Sequence, residues 1–162
     1  MAVTDPIDLP YRPCAGIVLI NADGLIWAGR RLDSETRAPN AWQMPQGGID
    51  KGEDPEAAAF REMEEEIGTR KARLVSATKG WLKYDLPKDL LGHVWKGKYR
   101  GQKQKWFAFV YEGNDSDINI QTEDPEFSEW KWMSVSELLT CTVAFKRDVY
   151  VEVFDEFQDL LK

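Results

Sequence analysis

The sequence predicts an α+β fold built on a mixed sheet. Several segments alternate or run apolar in the manner of strands, two or three others carry helical spacing, and the two kinds do not alternate regularly along the chain. The 162 residues, 43% hydrophobic and 30% charged, suffice for one folded unit with its own core, and we expect one domain over 1–162.

The elements follow in order. CAGIVLINADGLIWAGRR reads as two strands joined by the turn NADG, because Asn, Asp and Gly favour hairpin turns. Residues 55–67 read as a helix, with Asp54 as N-cap, Pro55 at the first helical position and Gly68 as the C-terminal stop. ARLVSATKGWLKYDL reads as one or two strands, KQKWFAFVYEG as a strand with one buried face, and EFSEWKWMSV as another. SVSELLT predicts a short helix opened by Ser134 or Ser136. Residues 147–161 predict a last amphipathic helix, with Val149, Val153, Phe154, Phe157, Leu160 and Leu161 on its apolar side. Most of the seven tryptophans sit in or beside strands and are expected in the core; Trp95 borders a basic stretch instead.

Composition excludes several functions. No apolar run approaches the roughly 20 residues of a membrane helix. MAVTDPIDLP lacks the basic and apolar regions of a secretory signal, so a cytoplasmic location is expected. Cys14 and Cys141 match no zinc or redox spacing and are expected as buried small hydrophobes in a reducing compartment. His93, the one histidine, gives no basis for a histidine metal site or a serine triad and is expected on a loop or the surface. A net charge of −7 argues against gripping duplex DNA, which requires a broad basic surface. A nucleic-acid ligand would have to be held by a few nucleotides at one site.

REMEEEIG, residues 61–68, concentrates charge that ought to repel. At about 100° per residue, Phe60, Met63 and Ile67 share the core-facing side of the helix, and Glu62, Glu65 and Glu66 share another sector. Such a face is either a solvated acidic stripe or an oxygen-rich ligand set for a hard divalent cation. The preceding stretch MPQGGIDKGEDPEAAAF brings Gly47, Gly48 and Gly52 into a loop that runs directly into the helix, where glycine allows close backbone approach to a ligand.

Gly47, Glu53, Arg61, Glu62, Glu65, Glu66 and Gly68 together reproduce G-x5-E-x7-R-E-U-x-E-E-x-G-U, and the chain therefore resembles the Nudix hydrolases. At roughly 7% per fixed letter, chance gives the pattern on the order of 10⁻⁸ per starting position. Met63 fills the first bulky position, and Thr69 departs at the last, a packing position. The resemblance implies an α/β/α sandwich with a mixed β-sheet, the box at 47–69 forming a loop–helix–loop. It implies hydrolysis of a nucleoside diphosphate linked to another group, with Mg²⁺ or Mn²⁺. It assigns Glu62, Glu65 and Glu66 as metal ligands or, for one of them, the base, with Glu62 the expected base. Gly47 would offer its carbonyl to the metal, and Glu53 and Arg61 would brace loop against helix.

YRPCAGIVL, WQMPQGGID, WLKYDLP, GQKQKWF, PEFSEWKW and FKRDVY resemble in combination the branch holding bacterial RNA pyrophosphohydrolases and dinucleoside polyphosphate hydrolases. That likeness places substrate contacts at Arg12, Arg31, Tyr84, Lys105, Phe145 and Lys146, and a further metal carboxylate at Glu126. Ala144 stands where some relatives carry Ser. Lys96, Lys98, Arg100, Lys103 and Lys105 form a local basic stretch, either a polyphosphate site or a solvated hairpin tip. The expected substrate is a 5′-triphosphorylated RNA end, converted to a monophosphate, with diadenosine tetraphosphate and its relatives as the second reading. A protein activator is left open. A silent binding module on the same fold is the contrasting expectation, and the intact set of three glutamates argues against it.

Overall fold

The structure is a computed structural model that describes residues 8–32 and 41–161. The reading of MAVTDPIDLP as lacking a leader rests mostly on residues 1–7, which lie outside the described residues.

Eight strands form one mixed sheet: β1 (Tyr11–Ile20), β2 (Ile26–Arg31), β3 (Trp42–Gln43), β4 (Gln46–Gly48), β5 (Ala72–Ala77), β6 (Leu82–Asp85), β7 (Gly101–Tyr111) and β8 (Phe127–Met133). The path runs β3-β2-β1-β7-β5, with β4 paired to β1, β6 to β7 and β8 to β2. The β1–β7 pair is parallel, and the other pairs are antiparallel. Helix α1 (Pro55–Ile67) covers one face through Ala58, Ala59, Met63 and Ile67. Helices α2 (Val135–Cys141) and α3 (Ala144–Glu156) cover the other through Leu138, Val149, Tyr150, Val153 and Phe154. The result is the expected α/β/α sandwich.

The local signals act as expected at α1. Asp54 accepts hydrogen bonds from the amides of Glu56 (3.1 Å) and Ala57 (3.3 Å), and Pro55 opens the helix. Gly68 ends it at φ 79°, a left-handed conformation that glycine adopts without the Cβ penalty, and its amide donates to the Glu64 carbonyl. Ser134 caps α2 by accepting from Glu137 N. His93 is exposed, and Cys14 is buried, whereas Cys141 is half-buried.

Other features differ. The turn after β1 forms, yet β1 and β2 pair only at Ile20↔Ile26. β1 instead lies along β7, and β2 along β8. The glycine-rich loop contains a strand: Gly48, Gly47 and Gln46 pair with Cys14, Ala15 and Gly16. The last helix begins at Ala144, not 147, and gives way at Phe157 to a 3-10 turn over Gln158–Leu160. Its start is earlier because Val143 already holds an extended conformation and accepts from Lys146 N. Trp27 and Trp106 are fully buried, but Trp81, in the loop before β6, is 40% exposed.

One close approach ties the sheet together. Gly16 faces Trp106 across the β1–β7 ladder, and a Cβ there would lie 2.3 Å from the indole. Gly16→Ala is expected to destabilise the protein by about 1–3 kcal/mol, the usual cost of overpacking. Gly80→Ala, where nothing lies within 4 Å, is expected to change little. Urea denaturation of both variants measures the contrast; equal midpoints would remove the packing argument.

Candidate active site

Helix α1 and strand β4 meet where the glycines let them. A Cβ on residue 47 would sit 2.0 Å from the Glu62 carboxyl carbon, so the carboxylate lies directly against the Gly47 backbone. The α1 stripe is not a solvated face throughout: Glu62 is 8% and Glu66 4% exposed, while Glu65 remains exposed. Arg61 organises the group. Its Nε and Nη2 donate to the two Glu53 carboxylate oxygens, both at 2.8 Å, and Nη2 also donates to the Gly48 carbonyl at 2.8 Å. Its Nη1 donates to Glu62 Oε1 (2.9 Å) and Glu65 Oε2 (3.2 Å). A bidentate guanidinium–carboxylate pair is geometrically specific, and here it locks the loop to the helix. Glu53 Oε1 further accepts from Asp50 N at 3.0 Å.

The charges respond accordingly. The Arg61 hydrogen bonds hold the Glu53 carboxyl down at about 2. Burial pushes Glu62 up to about 7, against the pull of Arg61 and with the negative neighbours Glu65 and Glu126 adding to the rise. Burial also raises Glu66 well above its ordinary value, and the nearby Glu126 carboxyl reinforces this. Both Glu66 oxygens are buried without a hydrogen-bond partner at normal geometry. An orphaned buried carboxylate is costly unless something positive completes it. Among the described residues, no three acidic, histidine or cysteine side chains already converge as a ready cage; Glu62 and Glu65 are instead turned to Arg61. The donor set of Glu62, Glu65, Glu66 and Glu126 with the Gly47 carbonyl is all hard oxygen, which fits a hard divalent cation.

All of this set but Glu66 borders one end of a cleft of about 1150 Å³. Gly47, Glu62, Glu65 and Glu126 line it, and so do Arg12, Arg31, Tyr84, Phe145 and Lys146. Glu126 arrives from the residue before β8, whose backbone holds Leu32 N at 2.9 Å. Arg12, from the start of β1, packs its guanidinium 5.6 Å over the Trp95 ring, and Trp95 also lines the cleft. Phe145 and Lys146 occupy the first turn of α3. The Phe145 ring lies 5.5 Å from that of Tyr84.

Lys105 does not line the cleft. It pairs with Ala15 on the face covered by α1, while Gln104 and Trp106 point to the other face, as the two-residue strand period requires. Arg100 of the same basic stretch pairs with Asp85 at 2.8 Å. Two cleft residues escaped the sequence reading. Gln43 Oε1 accepts from Lys146 Nζ (2.9 Å) and Arg31 Nη1 (3.4 Å), and Gln102 lies beside Arg12 and Tyr84. An uncharged amide in a short or central strand carries no signal that separates it from any other polar residue.

The raised Glu66 carboxyl sets a pH dependence. Without metal, Glu66 is protonated in both folded and unfolded chains below its ordinary value of 4.5. As pH rises above that value the unfolded form ionises first, so the folded state loses stability up to the raised folded-state value. In chelator, the melting temperature of Glu66→Gln relative to wild type is therefore expected to climb as pH rises above 4.5. A difference that stays flat with pH would contradict the burial of this charge.

Known proteins resemble this chain over most of its length. A family model described as NUDIX domain matches residues 10–153. The chain is 59% identical over 148 residues to an RNA pyrophosphohydrolase of Rhodospirillum rubrum, covering 91% of this chain and 87% of that one. It is 55% identical over 152 residues to the RNA pyrophosphohydrolase of Roseobacter denitrificans, covering 93% of each. A solved C. elegans Ap4A hydrolase complex shares the fold with a TM-score of 0.63 at 21% identity, over 91% of this chain and 98% of that one. The carboxylate-lined cleft thus sits on a matched domain that takes in most of the chain, which belongs to the Nudix family, whose hydrolases generally use divalent metal ions.

Proposed function

We propose that this chain is an RNA 5′-pyrophosphohydrolase, one Nudix unit over 1–162 that works in the cytoplasm and converts 5′-triphosphate RNA ends to 5′-monophosphates, so opening transcripts to decay. One observation carries the reading: a single cleft joins the carboxylate end at Glu62, Glu65 and Glu126 to a cationic and aromatic end at Arg12, Arg31, Tyr84, Phe145 and Lys146. The relatives named RNA pyrophosphohydrolase, alike over nine-tenths of the chain, support it.

Glu62, Glu65, Glu66, Glu126 and the Gly47 carbonyl would hold Mg²⁺ or Mn²⁺. Such an ion neutralises phosphate charge and acidifies bound water. The residues do the rest. Arg12 and Lys146 bind and orient the phosphate chain, since positioning and electrostatics carry most of phosphoryl transfer. Glu62 is the base. Its Oε1 is held by Arg61, which leaves Oε2 for the proton of the attacking water. The water oxygen bonds to phosphorus, the anhydride P–O bond breaks, and pyrophosphate or successive phosphates leave. Arg31 and Phe145 stack a base of the RNA between them. Duplex DNA is not a substrate for a site of this size, and nothing in the reading calls on a membrane. Among the described residues no helix is long and apolar enough to cross one.

Glu65→Gln is expected to lower kcat by at least 100-fold with the melting transition unmoved, and EDTA is expected to abolish wild-type turnover until Mg²⁺ is restored. Unchanged turnover in the variant would remove Glu65 from the site. The substrate test compares kcat/KM, with Mg²⁺, for triphosphorylated RNA of a few nucleotides and for diadenosine tetraphosphate. A preference for RNA is expected; a preference for the dinucleotide would make asymmetric hydrolysis to ATP and AMP the activity instead.

A further inference from the structure

Beneath the cleft runs a chain of three side chains on β7. The Trp106 indole Nε1 donates to Gln104 Oε1 at 2.9 Å, and Gln104 Nε2 donates to Gln102 Oε1 at 2.6 Å. All three are buried: Trp106 at 0%, Gln104 at 3% and Gln102 at 2% exposure. The two ends of an amide are told apart by their partners alone, and here the first partner leaves no choice. An indole nitrogen donates and never accepts. Gln104 must therefore turn its oxygen to Trp106 and its NH₂ to Gln102. Gln102 must turn its own oxygen inward to receive it, so its NH₂ is directed away from Gln104. Gln102 lines the cleft, in register with Arg12 on one side and Tyr84 on the other.

The indole at the head of the chain is itself held. It fills the space that Gly16 leaves and meets Tyr150 edge-on at 5.7 Å. Its backbone is clasped to Thr78 by two hydrogen bonds, Trp106 N to Thr78 Oγ1 (3.0 Å) and Thr78 N to Trp106 O (2.8 Å). Reversing the Gln102 amide would require reversing Gln104, and that would set an NH₂ against the indole N–H.

We infer that Trp106, acting through Gln104, holds Gln102 as an obligate hydrogen-bond donor to the phosphate oxygens of the substrate. Gln102 is the substrate contact; Gln104 and Trp106 are positioning residues. The inference rests on the proposed polyphosphate substrate. The relay determines the polarity that a neutral residue presents: the same amide reversed would set a carbonyl oxygen against an anion. It also adds a donor to the cleft without adding another charge to be desolvated.

The test separates polarity from packing. In Gln104→Glu the carboxylate accepts from Trp106 and also from the Gln102 NH₂, which turns the Gln102 oxygen to the cleft. In Gln104→Leu the Gln102 amide is free to rotate and can still donate. We expect Gln104→Glu to raise KM for triphosphorylated RNA by roughly 10- to 100-fold, the range for a hydrogen bond to a charged group. Gln104→Leu should raise it a few-fold, with kcat changed less in both. In a Gln102→Leu background, Gln104→Glu should have almost no further effect, because the group it reorients is gone. An equal or larger effect of leucine, or an effect of glutamate that persists without Gln102, would overturn the relay in favour of packing or simple charge repulsion.

The wild-type protein offers a second readout that needs no variant to fold. Without metal, inorganic tripolyphosphate should shift the side-chain amide resonances of Gln102 and leave those of Gln104 in place; no shift at Gln102 would overturn the inference. Failure of the wild type to act on RNA would instead strike the substrate reading, and the tripolyphosphate titration still decides whether Gln102 meets phosphate.

Discussion

The parallel ladder between β1 and β7, from Tyr11 against Gly101 to Ile20 against Val110, fixes the position of nearly everything else. Parallel strands cannot be joined by a tight turn and need a long crossover. The intervening chain uses that crossover to lay α1 across one face. Because side chains alternate along both strands, a single register decides two environments. Ala15, Ile17, Phe107 and Phe109 meet α1, while Val18, Trp106 and Ala108 meet the face of α3. The same register sets Arg12 beside Gln102 and Gly16 beside Trp106. A slip of one residue would exchange the faces and scatter the cleft.

On the edge of that ladder the electrostatic problem of α1 is solved locally. One guanidinium serves Glu53, Glu62, Glu65 and the Gly48 carbonyl. Arg61 suits this task because its donors form a rigid planar fork, whereas an ammonium is a point charge with no preferred plane. The arrangement leaves Glu66 without a partner and Glu62 raised toward neutrality. Both conditions favour taking up a cation. The site thus gathers hard oxygen donors around Arg61, and the braced loop keeps them together.

An acidic protein of net charge −7 handles a polyanion by segregation, not by overall charge. Its negative groups gather where a metal ion would reverse their effect. Its useful cations, Arg12, Arg31 and Lys146, sit across the same cleft, with Gln43 holding two of them in place. Neutral amides do the orienting. A donor such as Gln102 adds directionality at a lower desolvation cost than a further buried lysine.

The sequence by itself determined whatever depends on neighbours along the chain. The α1 boundaries follow from Asp54, Pro55 and Gly68, and the stripe of glutamates follows from helical spacing, so the box was legible to the residue. The cleft residues Arg12, Arg31, Tyr84, Phe145, Lys146 and Glu126 were legible through family resemblance, as their separation along the chain carries no local signal. The tertiary structure decided the rest. It paired β1 with β7 and not with its hairpin neighbour, made a strand of Gln46–Gly48, and buried Glu62 and Glu66 on a helix whose composition reads as solvated. It turned Lys105 away from the cleft and brought Gln43 and Gln102 into it. Strand pairing, burial and amide orientation are set by partners distant in sequence, and that is why the chain, read in one dimension, could not contain them.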